Sequence, residues 1–337
     1  MKKHFLATLL FFTILNFAHA QEFVLSLNGG YAWPGIGTPE NVMGPKIDPY
    51  SPETDGLINL ANLNDSIKLN KPVHGSYGKG GNLTFSFGYL INPYFGVGLG
   101  ISYLHSASVT CDQIRQLTGP GSALPSVQTN YYLNANISTN AYGLSIMPSV
   151  TINGCKPGWK VYPYARVGIT LPVWGKVIHN VHISADSAFA KALLDKAPYF
   201  LGHNTDVRLE TESTISVGIN GAVGVCYRPI PLISVFAEIN GQYLNVRAKS
   251  ATITKWDADG VDQIPARGVY RTQFNFVDKL TGESNNAEYN SNYDASKPKD
   301  DTRPVAPFSN IGFNVGVNFY LSKTILQAKK KKPTQKA

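Results

Sequence analysis

Asn82-Leu83-Thr84-Phe85-Ser86-Phe87-Gly88-Tyr89 places an apolar residue at every second position and a small or polar residue at each position between. A period of two describes a strand with one oily face and one polar face. The pattern recurs in seven other segments, joined by connections that are alternately very short and very long. A soluble sandwich has no reason to alternate its loops in this way, whereas a barrel that spans a membrane does.

The other segments run from Phe23 to Trp33, Phe95 to His105, Tyr142 to Ile152, Trp159 to Val173, Ile215 to Tyr227, Ile233 to Tyr243 and Asn310 to Leu321. In the last, Ile311, Phe313, Val315, Val317, Phe319 and Leu321 share one face, against Gly312, Asn314, Gly316 and Asn318 on the other. Each segment approaches the ~9 to 11 residues that a tilted strand needs to cross a bilayer. The connections after the second, fourth and sixth are tight and rich in turn residues, as in Asn92-Pro93-Tyr94 and Arg228-Pro229-Ile230-Pro231-Leu232. Those after the first, third, fifth and seventh cover roughly residues 35–80, 107–138, 175–213 and 249–308, far above the usual loop median of ~4 to 6 residues. The expected fold is all-β: an eight-stranded antiparallel up-and-down transmembrane β-barrel with long extracellular loops and both termini in the periplasm.

The ends agree with export. Lys2 and Lys3 precede an apolar run from Phe5 to Phe17 and then Ala18-His19-Ala20, which reads as a signal peptide over residues 1–20. Residues 21–322 form the barrel with its loops, and 323–337 a basic periplasmic tail. The net charge of +8 resides at these ends: the two leader lysines and six tail lysines account for it, leaving a body near neutrality. The folded part therefore lacks the electrostatic footprint of a nucleic-acid binder. Mean hydropathy is only −0.11, because alternation averages each strand to neutral.

Aromatic side chains supply two girdles. Tyr89, Trp159, Tyr227 and Phe319 fall at the periplasmic ends, with Phe23 and Tyr94; Trp33, Tyr103 and Tyr243 fall at the outer ends. Among the three cysteines, Cys155 and Cys226 lie near one rim, one strand apart, and Cys111 is the odd one. A Cys155–Cys226 disulfide requires Cα atoms within about 7 Å.

The chain resembles the small outer-membrane β-barrel family of Gram-negative bacteria, with its OmpA-, OmpX- and OmpW-type barrels, in the tyrosine- and asparagine-rich form found in Bacteroidota. The resemblance covers residues 21–322 and includes the aromatic-ended closing segment Gly316-Val317-Asn318-Phe319-Tyr320-Leu321. It implies outer-membrane lipids and the barrel-assembly machinery as partners. The tail departs from it, being too short for the peptidoglycan-binding domain of OmpA.

Candidate chemistry is sparse. Arg166 and Glu238 are the charges expected inside the spanning lumen, where an unpaired charge is costly, so a salt bridge that helps plug the barrel is expected and an ion gate is the alternative. Inward glycines leave room for Tyr162, Tyr164, Phe236 and Tyr320, so a filled interior without a ligand cavity is expected. His105 with Ser106 and Ser108 is similar to the lipid A deacylase barrels but departs from their His-x-Ser order. His179, His182 and Asp186, and the Asp257, Asp259 and Asp262 cluster, read as solvated loop rather than metal sites. Ser184 to Lys196 has helical spacing, its flanks Lys176–Ile183 and Asp206–Glu212 look extended, and Ala251–Trp256 and Val269–Val277 are candidates to pair outside. No catalytic residue, metal or cofactor is expected. The leading functional expectation is a non-enzymatic barrel acting through its extracellular loops in surface interaction, adhesion or membrane structure. A narrow channel or carrier for small solutes, as in OmpW-like barrels, is the alternative, and a lipid A-modifying enzyme a minor one. No motif names the extracellular partner of the loops or an oligomeric state.

Overall fold

The computed structural model describes residues 22–34, 64–70, 76–120, 128–154, 159–185 and 204–322. The signal peptide, the basic tail and Cys155 lie outside the described residues. In chain order the elements are β1 (Glu22–Pro34), β2 (Asn64–Asn70), β3 (Gly80–Leu90), β4 (Phe95–Ser106), β5 (Val109–Pro120), β6 (Gln128–Asn153), β7 (Val161–Ala185) and β8 (Asn204–Ser213). There follow β9 (Gly218–Ile230), β10 (Ile233–Tyr243), β11 (Asn245–Ala258), β12 (Val261–Asp262), α1 (Ile264–Thr272), β13 (Gln273–Val277), β14 (Lys299–Thr302), β15 (Val305–Pro307) and β16 (Asn310–Ser322).

Eight strands close a barrel: β1, β3, β4, β6, β7, β9, β10 and β16 pair in that order, each antiparallel to the next, and β16 returns to β1. Closure leaves no free edge within the membrane-spanning part, where an unpaired backbone amide would cost several kcal/mol. Register carries the sequence alternation around the wall. Leu27 faces Phe85 on one side and Val317 on the other, and Val317 faces Val235, so apolar residues form an outward row. Ser26, Asn318 and Ser234 make the adjoining inward row. A slip of one residue would turn every side chain of a strand to the opposite face, so the pattern pins the register.

The tight connections gather at one rim. At the β3–β4 turn, Asn92 Oδ1 accepts from the backbone N–H groups of Tyr94 and Phe95, both at 2.8 Å. This local bond substitutes for the ladder and turns the chain within four residues, Ile91 to Tyr94.

At the opposite rim the wall continues as a collar. β6 has 26 residues and β7 has 25; at ~3.3 Å per residue each reaches roughly 80 Å, well over twice what a membrane crossing needs. Their extensions pair from Leu133–Ala185 down to Tyr142–Lys176, β5 and β2 add on the β6 side, and β8, β11, β13 and β14 on the β7 side. Residues 107–138, expected as a loop, are therefore largely strand, as are the flanks within 175–213. The expected pairing of 251–256 with 269–277 is corrected in detail: β11 meets β13 at Ser250–Thr252, but 269–272 belong to helix α1. Pro265 stands in the first turn of α1, where a missing N–H is harmless, and Gly268, at φ 71°, kinks it. Of the helix expected at 184–196, Ser184 and Ala185 end β7, and the remainder lies outside the described residues.

Candidate functional site

Strand parity aims two sets of side chains. Outward lie Val225, Ile239, Val315 and their neighbours, each about half exposed and apolar, while the inward Ser234 and Glu238 are fully buried. Such a continuous apolar belt belongs in lipid. The barrel is built to sit in a membrane.

Trp33, Tyr103 and Tyr243 are exposed at the collar end, and Trp159, Tyr227 and Phe319 at the short-turn end, with Tyr89 half-buried beside Phe23. Trp174, 5.3 Å from Tyr142 between ring centres, joins the collar-end set; it stands on the last residue before the segment read as loop, which hid it.

The lumen is divided at mid-height. Arg166, on β7, donates from Nη2 to Glu238 Oε1, on β10, at 2.7 Å. Tyr164 Oη donates to Glu238 Oε2 at 2.7 Å, and Asn314 Nδ2 donates to Oε1 at 3.3 Å and to Asn28 Oδ1 at 3.3 Å. The fully buried carboxylate thus has three donors from three different residues. β9 passes between Tyr164 and Glu238, and its residue there is Gly224, which pairs with both. A Cβ at Gly224 would come within 2.9 Å of Glu238 Cβ and of the Tyr164 ring, so any side chain would separate donor from acceptor.

Space remains on both sides of this partition. An upper chamber of about 120 Å³ is lined in part by Asn220, Asn240, Gln242, Met147 and Leu104, and a lower one of about 100 Å³ by Ser26, Ser149, Tyr162 and Phe236. Arg166 borders both. The expected filled interior is corrected accordingly: inward glycine, serine, threonine and asparagine occupy too little volume for four large rings to make up.

The wall of the lower chamber is itself tightly bonded. Tyr162 and Tyr320 share a hydrogen bond of 3.0 Å, Ser234 Oγ stands 3.1 Å from Tyr320 Oη, and Asn318 Nδ2 donates to Ser234 Oγ at 3.0 Å. Cys226 is a free, buried thiol that donates to Tyr162 Oη at 3.2 Å; Cys155, the partner considered for it, is outside the described residues, and no side-chain placement is described for Cys111. Arg228 stacks 3.6 Å above the Tyr320 ring, pairs with Glu22 at 3.1 Å and donates to the Pro231 carbonyl.

Above the upper chamber is an apolar roof. Tyr77, Ala141, Val177, Leu244, Val246 and Phe308 form one buried cluster. β15 pairs with β11 and brings Phe308 over the mouth, where its N–H donates to Leu244 O at 2.8 Å. Tyr77 packs on Phe308 at 5.7 Å and its N–H donates to Pro307 O. His179 meets the Tyr77 ring edge-on at 6.3 Å and shares a 2.9 Å hydrogen bond with Thr139 through Nδ1. Burial pushes the imidazole down to about 4, so it is neutral there.

The remaining candidates are dispersed. His105 is exposed on β4, while Ser106 points the opposite way, accepting from Ala141 N, and Ser108 pairs with Ser138 at 2.8 Å. His182 pairs with Asp206 at 2.7 Å on the exposed collar, where that contact first, and then Lys255, hold the Asp206 carboxyl below its usual range. Asp257, Asp259 and Asp262 each accept a backbone N–H, from Gly260, Asn204 and Ile264. Asp186 lies outside the described residues.

No family model matches the chain, and no curated protein does. Among solved structures it is similar to the outer membrane protein OprG from Pseudomonas aeruginosa, at 10% sequence identity and a TM-score of 0.36, over 90% of this chain and 97% of that one. A TM-score of that size carries no functional argument, and the barrel rests on its own strand pairing.

Proposed function

We propose that the chain is an outer-membrane barrel, collar outward and short turns in the periplasm, that passes small solutes through a lumen held shut by the Arg166–Glu238 partition. The observation that carries this reading is the pair of chambers meeting at Arg166. A structural plug alone needs no space on either side of it. The ion pair is a suitable barrier because it is a single bonded unit whose separation joins the chambers. In this reading no step is catalytic, and the partners are outer-membrane lipids, the barrel-assembly machinery and the solute.

Purified barrel in planar bilayers and in liposomes tests it. Wild type is expected to conduct weakly, and the charge-neutral pair Arg166→Gln with Glu238→Gln to conduct several-fold more. If both are silent and neither admits small solutes into liposomes, transport is overturned.

A second reading keeps surface interaction, favoured by the order of the collar. Asn285 donates from Nδ2 to the carbonyls of Asp294 and Pro298 and from its N–H to Asp300, bracing a scaffold that displays exposed Tyr289 and Tyr293. Cell-surface binding assays with and without residues 281–298 test that reading.

A further inference from the structure

The upper chamber has a chemical polarity along the barrel axis. At its floor stands the Arg166 guanidinium, which spends one N–H direction on Glu238 and has five in all. On its wall, Asn240 Nδ2 and Asn314 Oδ1 are buried without a hydrogen-bond partner. Unsatisfied buried polar atoms cost ~1–3 kcal/mol each, so they are sites where a polar guest is repaid. Toward the roof the lining turns apolar, with Leu104, Leu244, Val246 and Phe308. The cations that border the chamber, Arg166, Lys176 and Arg247, are paired with Glu238 at 2.7 Å, Glu210 at 3.0 Å and Asp278 at 4.0 Å, so its preference for an anion rests on the hydrogen-bond donors that face it and not on net charge. Glu238, the acid beneath, is fully buried and does not border it.

We propose that this chamber binds a short aliphatic carboxylate, its head group on Arg166 and Asn240 and its tail against Leu104, Leu244 and Phe308. The carboxylate takes the free guanidinium and amide donors, and water carried with the head supplies the donor that Asn314 Oδ1 lacks. A cation of the same length meets Arg166 head-on, and a neutral alcohol forgoes the charge-assisted bonds, which are roughly twice as strong as neutral ones. The proposal deepens the transport reading by naming a solute class for the same lumen.

The test uses the full-length barrel in nanodiscs, titrated with hexanoate, 1-hexanol and hexylammonium by calorimetry and by chemical-shift changes. Saturable hexanoate binding is expected, with the other two at least tenfold weaker. Arg166→Gln together with Glu238→Gln, which leaves no orphan charge and so preserves the fold, is expected to weaken hexanoate at least tenfold; Asn240→Ala weakens it several-fold; Arg228→Gln, at the far end of the lumen, leaves it unchanged. Absence of saturable binding, equal affinity for hexanol, or indifference to the double substitution in a protein that remains heat-modifiable on gels overturns the site. Hexanoate binding with neither conductance nor liposome uptake upholds the site and overturns transport; conductance without hexanoate binding does the reverse.

Discussion

Glu238 loses all contact with solvent in the lumen and recovers its hydration through Arg166, Tyr164 and Asn314. Removing one member of such a buried pair strands the other charge, at ~3–5 kcal/mol, whereas removing both is often nearly neutral. Arg166→Ala and Glu238→Ala are each expected to lower stability by that order and the double substitution by far less, as read from urea unfolding in lipid vesicles. His179 offers a second measurement. Its folded value of about 4 lies below the ordinary 6.5, so the unfolded collar binds more protons between those limits and stability falls as pH drops from about 6.5 to 4. The whole difference amounts to roughly 3 kcal/mol. Protection factors of the β7–β8 amides, which are corrected for the intrinsic pH dependence of exchange, should fall across this window, and His179→Gln should remove most of that fall. Parity in the sequence is enough to point Arg166 and Glu238 inward, because it needs only the strand to which each belongs. Parity also turns Tyr164, Gly224 and Asn314 inward, but their meeting at Glu238 escapes it, since that depends on register and stagger across four strands.

The strands obey different rules along their length. Within the belt each must set oily residues toward lipid, and this made eight strands and their order legible. Above the belt that demand ends. Residues 128–140, Gln-Thr-Asn-Tyr-Tyr-Leu-Asn-Ala-Asn-Ile-Ser-Thr-Asn, keep Tyr131, Leu133, Ala135 and Ile137 at one parity against Asn130, Asn134, Asn136 and Ser138 at the other, and they continue β6 without a break. That alternation is a strand signal, but four asparagines in thirteen residues and a narrower oily face made the segment read as loop. α1 was hidden for another reason: Pro265 and Gly268 read as loop punctuation, although one starts the helix and the other kinks it. The belt rule itself can be measured. Val225→Arg, in the middle of β9 and facing outward, should destabilise the barrel by ~2–4 kcal/mol in vesicles, through the depth-dependent penalty for a charge on the lipid face. The inward Ala222, on the same strand, should accept serine with less than half that loss, as followed by the same unfolding curves.

At the scale of the molecule, the first and last strands are neighbours. β1 and β16 pair along thirteen positions from Glu22–Ser322 to Pro34–Asn310, and Ser26 Oγ donates to Asn318 Oδ1 at 2.6 Å across 292 residues of chain. Residues 22–309 alone would present β1 and β10 as two raw edges beside an uncovered apolar belt. They should fail to give a heat-modifiable band, while a permuted chain that links residue 322 to residue 22 and opens near 283 should give one. Time also enters here. The seam joins β1 to β16, so the wall cannot close until β16 has been made, and loop closure over such distance is slow. Until then β1 and β10 are open edges beside an oil-faced ribbon. The moment at which the oily belt gains a closed wall is set by the pairing of β1 with β16, not by any site between them.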